Sequence, residues 1–324
     1  MGGFCLTVHH FGVRSIETID FYKYSGSGND FICIDNRDGR FDHLIESPGI
    51  AHFARQLCRR GIGVGADGVI FAGPTGSGEG VDIVARFFEP DGSEAELCGN
   101  GVGCFVYCVV RQGWVTNDRE IRVLTSAGVV RGQVVNSRRA RVCIPNPEDI
   151  RTGLDIEVRT RRWPCHYLVT GVPHLVVYVD DLDNFEIEHW GPAFRYHPDF
   201  APRGVNANFV EVRGEGHIAV RTWEFGVEDE TLACGTGSSS AAIVTAMLKN
   251  WGEEYTRGEK PVLVDVQSGD RLKVWFMIDE DGDPIDLCLE TTIRPLYTGR
   301  LTPELTGEVI NGEPIRSPEL EALD

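Results

Sequence analysis

Short apolar runs dominate the chain and predict an architecture rich in strands. Most runs are bounded by Gly, Asn, Asp or Pro, the residues that favour turns at strand ends. The predicted strands cover residues 20–24, 31–35, 82–88, 121–125, 128–135, 140–144, 167–170, 175–180, 208–212, 217–224, 262–266, 271–276 and 285–290. Apolar residues on a period of 3.6 predict helices near residues 49–60, 100–112 and 236–250. Few helices among many strands indicate an α+β fold rather than a βαβ alternation.

One sequence motif occurs in both halves of the chain. Residues 86–101 read RFFEPDGSEAELCGNG, and residues 221–237 read RTWEFGVEDETLACGTG. Both contain Arg-x-aromatic-Glu, then an acidic turn, a leucine near a cysteine, and Gly-x-Gly at the start of a predicted helix. A second echo relates GNDFICIDN, from Gly28, to GVPHLVVYVDD, from Gly171. Such an internal repeat predicts two pseudo-symmetric lobes, with a boundary near residues 144–150.

The repeat and the strand pattern together divide the chain. The predicted parts are an N-terminal extension (1–19), a first lobe (20–145, with a returning strand near 293–302), a second lobe (146–292) and a C-terminal tail (303–324). The tail combines acidic residues with Pro and Gly, a composition typical of a loosely held segment.

Composition and charge exclude several classes of function. The 324 residues are 42% hydrophobic and 25% charged, which is typical of a globular protein. The net charge of −18 argues against binding to nucleic-acid phosphates or to an anionic membrane surface. No apolar run reaches the roughly 18–20 residues of a membrane span. The N-terminal segment lacks a cleavage site, so no signal peptide is predicted and a cytoplasmic location is expected.

The ten cysteines are too sparse for a scaffold stapled by disulfides. Cys104 and Cys108 are four positions apart, no CxxC pair occurs, and the histidines show no ligand spacing, so no metal site is predicted. We therefore expect a reducing compartment and free thiols. The cysteines expected to fill the core are Cys33, Cys58, Cys104, Cys108, Cys143, Cys165 and Cys288.

Cys98 and Cys234 stand apart, because each is followed by Gly-x-Gly and a helical pattern. Each thiol is expected at a helix N-terminus, where unpaired N–H groups and the macrodipole favour negative charge. We therefore expect a depressed thiol pKa and a usable base. If the two lobes face each other across a cleft, one thiolate can remove a proton from a carbon while the other thiol delivers one to the opposite face. Two buried structural cysteines are the plainer alternative, which the repetition and the flanking glycines oppose.

Six motifs follow one another between residues 25 and 237. They are SGSGNDF (25–31), GVGADG (63–68), DGSEAELCGNG (91–101), PH (173–174), VNANF (205–209) and ETLACGTG (230–237). In this order they resemble the diaminopimelate epimerase family of amino-acid racemases and epimerases. The resemblance implies two β-rich lobes, each wrapped around a central helix, with the active site in the cleft between them. It also implies that no cofactor is used, pyridoxal phosphate included, and that two cysteines transfer protons at the α-carbon.

The resemblance assigns roles to residues of this chain one by one. Cys98 and Cys234 become the acid/base pair, with His174 and Glu224 as further catalytic residues. Backbone amides at the two helix starts are assigned to the substrate α-carboxylate. The residues assigned to substrate binding are Asn29, Gly99, Asn100, Asn206, Gly235 and Thr236.

Three positions depart from the family pattern. Phe225 stands where the family has arginine after glutamate, Val172 where it has asparagine before Pro-His, and Glu89 where it has asparagine after phenylalanine. In the family these positions recognise the far end of diaminopimelate, including its second carboxylate. The departures therefore predict an apolar side-chain pocket, formed by Val172 and Phe225, that contains one carboxylate, Glu89.

Three functional hypotheses remain open. The first is an epimerase or racemase for a small-molecule amino acid with a basic or imidazole side chain, which would pair with Glu89. The second is diaminopimelate epimerase itself, converting the LL to the meso form in lysine biosynthesis, with distal recognition rebuilt from other residues. The third is a non-catalytic relative in which Cys98 and Cys234 form a redox-responsive disulfide. No nucleic-acid or membrane partner is expected, and the sequence leaves the oligomeric state open, a homodimer included.

Overall fold

A continuous β-sheet runs through the part of the chain that the structure describes. The structure is a computed structural model, and it describes residues 18–75, 80–95 and 98–311. The expectation for an N-terminal extension therefore lies almost wholly outside the described residues. The strand order begins in the first lobe and ends in the second, and one strand is shared between them.

The first lobe is a closed barrel around one helix. Its strands are β1 (Asp20–Gly26), β2 (Asn29–Asp35), β3 (Gly68–Thr75), β4 (Ile83–Phe88), β5 (Ile121–Thr125), β6 (Gly128–Asn136), β7 (Arg139–Cys143) and β16 (Pro284–Arg300). Strands β1 to β7 follow one another around the barrel, and β16 closes it by pairing with both β7 and β1. The central helix is α3 (Gly99–Arg111), in which every residue from Gly99 to Val109 is buried. A helix that is buried on all sides needs no polar face, which explains its apolar sequence.

The second lobe is a curved sheet around a second central helix. Its strands are β8 (Glu148–Val158), β9 (Arg161–Thr170), β10 (Val172–Tyr178), β11 (Asn206–Gly214), β12 (His217–Glu224), β13 (Asp229–Thr231), β14 (Val262–Val266) and β15 (Arg271–Ile278). The sheet runs from β16 through β15, β14, β12, β11, β10 and β9 to β8, and β13 pairs with β12. Helix α5 (Gly235–Leu248) packs against this sheet, and its residues from Gly235 to Ala246 are all buried. The two lobes and their central helices agree with the predicted fold class.

Shorter helices cover the outside of both lobes. They are α1 (Asp42–Ile45), α2 (Gly49–Cys58), α4 (Ile187–Arg195), α6 (Glu253–Thr256) and α7 (Pro303–Asn311). Helix α2 buries Ile50, Phe53 and Leu57, spaced for one helical face, in an outer core of the first lobe. No helix within the described ranges is long and apolar enough to cross a bilayer.

The segment after residue 303 differs from the loose tail that the sequence predicted. Residues 303–311 form α7, which packs against α2 and buries Val309 completely. The main-chain oxygen of Glu308 also lies 2.8 Å from Nε2 of His52. A few apolar residues at helical spacing are enough to hold this helix, in spite of its acidic composition. Residues 312–324 lie outside the described residues.

Two of the cysteines expected as free thiols are joined in the structure. Cys143 in β7 and Cys288 in β16 are directly opposed in the strand pairing and form a disulfide, with Cα atoms 3.9 Å apart. The expectation was wrong for this pair because strand register, which the sequence does not reveal, places side by side two residues that are 145 positions apart. The disulfide links the last strand of the first lobe to the strand that both lobes share.

Candidate active site

The two central helices begin where the lobes meet. Cys98 caps the N-terminus of α3 and Cys234 caps that of α5; each thiol sulfur accepts a hydrogen bond from the backbone N–H three residues later, at 3.4 Å. Those donors are Gly101 and Gly237, where a side chain would collide with neighbours. A Cβ on Gly237 would come 2.1 Å from Oδ1 of Asn208. The missing side chains therefore let neighbouring groups pack closely against each helix start.

The internal repeat has a structural counterpart in front of each cysteine. Arg86 forms a two-pronged ion pair with Glu94, and Arg221 forms one with Glu230, at 2.7 and 2.8 Å. In each lobe the pair fastens the strand that carries the motif's arginine to the segment that leads into the cysteine. A bidentate guanidinium–carboxylate pair fixes both distance and orientation. The matching residues of the two sequence motifs thus build matching supports for the two thiols.

The side chain of Asn100 connects the two lobes at this point. Its Nδ2 donates to Oδ1 of Asn29 at 2.9 Å and to the main-chain oxygen of Ala233, the residue before Cys234, at 3.1 Å. Its Oδ1 accepts a hydrogen bond from Thr291 at 3.3 Å. Asn100 was predicted to bind substrate, and its side chain is 2% exposed and occupied by these contacts. Its backbone N–H acts on Cys98, where it lowers the thiol pKa against the effect of burial.

Asn29 is itself held by an acidic residue that the sequence analysis missed. Its Nδ2 donates to Oδ2 of Asp67 at 3.3 Å, and Asp67 also accepts from the backbone N–H of Asp30 at 2.9 Å. Burial raises the pKa of the Asp67 carboxyl. Asp67 is the fifth residue of the motif GVGADG, so its position in that motif was a usable signal for this role.

His174 reaches Cys234 through a hydroxyl group. Its Nε2 lies 3.0 Å from Oγ1 of Thr236, and that oxygen lies 3.6 Å from Sγ of Cys234. On its other side, Nδ1 lies 3.3 Å from Nδ2 of Asn208. His174 is fully buried, and burial lowers its pKa to about 3. Asn208 was not predicted, because its contact with His174 depends on the parallel pairing of β10 with β11, which the sequence does not reveal.

Two glutamates place negative charge beside the thiols. Burial raises the pKa of Glu224 to about 7, against a hydrogen bond that its Oε2 accepts from Thr231 at 2.7 Å. Glu89 is exposed, but desolvation by the surrounding protein, with the charges of Asp91 and Asp67, raises its pKa to about 7. The charge of Glu89 raises the pKa of both Glu224 and Cys98. Glu89 therefore lies near Cys98 and Glu224.

The thiol pKa values differ from the depressed values that the sequence predicted. Burial, reinforced by Glu89, raises the pKa of Cys98 to about 12. Burial and the charge of Glu224 also raise the pKa of Cys234, while hydrogen bonds from Thr236 and Gly237 oppose the rise. Desolvation of the thiolate thus outweighs the helix N-terminus. A thiolate of high pKa is a strong base, which suits removal of a weakly acidic α-proton.

The remaining predicted residues lie around β10 to β12. Oδ1 of Asn206 accepts a hydrogen bond from the backbone N–H of Phe225 at 2.6 Å, and Asn206 is opposite His174 in the strand pairing. The ring of Phe225 is contacted by two guanidinium groups, those of Arg195 at 4.3 Å and Arg203 at 5.6 Å from its centroid. The predicted apolar wall is thus partly a cation–π stack.

The other predicted positions keep to the same region. Val172, half-buried, opens β10 two residues before His174. Gly99 and Gly235 are the first residues of α3 and α5, so their N–H groups point out of the helix starts. Within the described residues, no group of three or more His, Cys, Asp or Glu side chains could hold a metal ion.

Known proteins are similar to this chain in sequence and in fold. The chain matches the family described as diaminopimelate epimerase over residues 21–144 and 166–283. It is 38% identical to a diaminopimelate epimerase of Aquifex aeolicus, over 89% of this chain and 99% of the relative. It is 37% identical to one of Hydrogenobaculum sp., over 87% and 98%. A probable proline racemase from Agrobacterium radiobacter has the same fold, with a TM-score of 0.66, 16% identity, and coverage of 89% and 96%.

Proposed function

The chain belongs to the diaminopimelate epimerase family, and from that premise we propose that it inverts the α-carbon of an amino acid by proton transfer between Cys98 and Cys234. Membership makes the protein an isomerase of the racemase and epimerase class. The observation that carries the two-thiol proposal is the pair of helix starts, each capped by a cysteine and linked to the other through Asn100 and Ala233.

The proposed reaction uses both helix starts at once. The α-carboxylate accepts hydrogen bonds from the N–H groups at the starts of α3 and α5, where the helix dipoles favour an anion. One thiolate takes the α-proton, so a C–H bond breaks and an S–H bond forms. The charge spreads into the carboxylate, where the N–H donors stabilise it. The opposite thiol then gives its proton to the other face of the carbon and becomes the thiolate.

For the substrate, we propose diaminopimelate first. The full-length similarity to relatives named for that activity supports it. A second carboxylate at the far end of the substrate needs a cationic partner. Position 225 does not provide one, but the exposed guanidinium of Arg203 lies beside the ring of Phe225. Arg203 is the group that we propose for this contact, because its guanidinium lies at the surface, whereas that of the nearer Arg195 is buried.

Glu89 favours a second candidate, an amino acid with a basic or imidazole side chain. Its charge acts on Cys98, and a carboxylate near that thiol would repel a distal carboxylate and attract a cation. No hydrogen-bond or ion-pair partner of this carboxylate occurs among the described contacts. Protonation of Glu89, favoured by its pKa of about 7, would weaken both effects at neutral pH.

Hydrogen exchange at the α-carbon in D2O distinguishes these candidates. LL-diaminopimelate, histidine, lysine, ornithine and arginine are each incubated with the purified chain, and loss of the α-proton is followed by NMR. Arg203→Gln and Glu89→Gln form a matched pair of charge removals. If diaminopimelate is the substrate, Arg203→Gln raises its KM by roughly ten-fold or more, and Glu89→Gln does not.

Two other results would change the proposal. Rapid exchange of a basic amino acid, with no exchange of diaminopimelate, replaces the first candidate with the second. Exchange of no amino acid by the reduced protein contradicts the two-thiol proposal and favours a non-catalytic relative. The Cys98→Ala, Cys234→Ala double variant is the blank for every substrate.

A further inference from the structure

A chain of three hydrogen-bonding groups leads from Asn208 to Cys234. It runs from the amide of Asn208 to the ring of His174, to the hydroxyl of Thr236, and to the thiol sulfur, over 3.3, 3.0 and 3.6 Å. Asn208 and His174 are fully buried, and Thr236 is 8% exposed. A buried chain of this kind has few ways to distribute its protons, so its direction can be worked out from its fixed end.

The fixed end is the amide of Asn208. Its Nδ2 donates to two main-chain oxygens, those of Leu175 at 3.0 Å and Asn206 at 3.2 Å. Its Oδ1 accepts a hydrogen bond from Thr222 at 3.0 Å. Two carbonyl acceptors on one side and a hydroxyl donor on the other leave a single orientation for the amide. The nitrogen, and not the oxygen, therefore faces His174.

This orientation determines the tautomer of His174. Nδ1 faces the amide nitrogen of Asn208, which cannot accept a hydrogen bond, so a proton on Nδ1 would have no acceptor there; this leaves the proton on Nε2. Nε2–H then donates to Oγ1 of Thr236. Since Thr236 accepts that bond, its own hydrogen is available for Cys234, and it points along the 3.6 Å contact to the sulfur.

We propose that Asn208 and Thr236 are positioning residues that aim the hydroxyl hydrogen of Thr236 at Cys234. His174 stays neutral throughout and orients the hydroxyl of Thr236 by donating a hydrogen bond to it. The role rests on the proposed function, in which Cys234 must exist as a thiolate for half of each cycle. A hydrogen bond to a charged acceptor is stronger than one to a neutral acceptor, so the contact favours the thiolate. Full burial of His174 opposes an imidazolium there.

The arrangement is specific to one of the two thiols. The residue two positions after Cys98 is Asn100, whose amide is committed to Asn29 and Ala233. The groups whose charges act on Cys234 are Glu224, from β12, and Cys98, from α3, and both raise its pKa. Thr236 acts in the opposite direction. Loss of its hydroxyl should therefore change the titration of Cys234 and leave that of Cys98 in place.

The test is the pH dependence of alkylation by iodoacetamide. The folded protein is labelled, and mass spectrometry measures the reaction of Cys98 and Cys234 separately. In Thr236→Val we expect Cys234 to react roughly ten-fold more slowly at a fixed pH below its pKa, with Cys98 unchanged. Thr236→Ser keeps the hydroxyl and should restore the profile. A Cys234 profile that Thr236→Val leaves unchanged, or an equal shift of Cys98, overturns the proposal.

Asn208→Asp tests the direction of the chain. A carboxylate beside Nδ1 attracts the proton to that nitrogen, so Nε2 becomes an acceptor and draws the hydrogen of Thr236 away from Cys234. Nitrogen NMR of the histidine ring should show the Nε2–H form in the wild type and the Nδ1–H form in the variant. A wild-type Nδ1–H form, or an imidazolium at pH 7, refutes the assignment even if Asn208→Asp does not fold. Neither readout requires turnover, so failure of this proposal is distinct from failure of the proposed reaction.

Discussion

Replacement of Asn100 by alanine should weaken both the fold and the reaction, because this side chain joins the starts of the two central helices. The change removes the donor to Oδ1 of Asn29 and to the oxygen of Ala233, and the acceptor for Thr291. All three contacts involve a residue that is 2% exposed, so water cannot easily replace them.

The size of the effect follows from the groups that lose a partner. A buried polar group without a hydrogen bond costs about 1–3 kcal/mol. Two acceptors and one hydroxyl are affected, and some can shift to new partners, so we expect the free energy of unfolding to fall by about 2–5 kcal/mol. Cys98 and Cys234 would then no longer be held in register, and a misplacement of about 1 Å can reduce kcat by roughly a hundred-fold.

The assay combines urea unfolding with exchange of the α-proton, and Asn117→Ala is a matched control. Asn117 also lies in the first lobe and exchanges two hydrogen bonds with Val134, at 2.9 and 3.0 Å, but it does not reach the second lobe. We expect this control to lose stability and to keep kcat at temperatures where it is folded. An Asn100→Ala protein with wild-type stability and kcat would refute the reasoning, and so would an equal loss of kcat in Asn117→Ala.

Three further predictions concern the thiols, a carboxyl and the disulfide. Cys98→Ala or Cys234→Ala should abolish inversion, measured by polarimetry, because each direction needs one base and one acid; near wild-type rates in either variant would contradict the two-base assignment. The pKa of Glu224 in the fold, about 7, lies above its ordinary value of 4.5, so its contribution to stability is present below pH 4.5 and lost as the pH rises through 7. Glu224→Gln should recover about 1–2 kcal/mol at pH 8 and nothing at pH 4.5, as urea unfolding will show. Reduction of the disulfide, or the Cys143→Ser, Cys288→Ser double variant, should lower the free energy of unfolding by about 2–4 kcal/mol; an unchanged Tm with dithiothreitol would contradict this.

The elements with regular patterns could be predicted from the sequence. The central helices and the strands with alternating apolar residues, such as β5 and β14, lie where the periodicity placed them. Strand β8 was missed, because most of its residues are polar and it forms the end of the sheet order. Helix α4 was missed as well, because Pro192 interrupts its pattern.

The candidate site also contains residues that the sequence could identify and residues that it could not. The repeat identified Cys98 and Cys234, since both lie in local motifs with their own glycines. Thr291 could not be found, and Asn208 in VNANF could not be connected to His174, because both contacts depend on which strands pair. The thiol pKa values could not be predicted either, because burial depends on the assembled lobes.

The shared strand β16 has a consequence for the order of synthesis. The barrel of the first lobe needs residues 293–300 to close against β1, although β1 itself begins at residue 20. The growing chain therefore exposes an open edge at β1 and at β7 until β16 has left the ribosome. Contacts between such distant residues are slow to form, and open strand edges are prone to pair with other chains. The first lobe is made before the second but must wait for β16, so it is the lobe that most needs protection during folding.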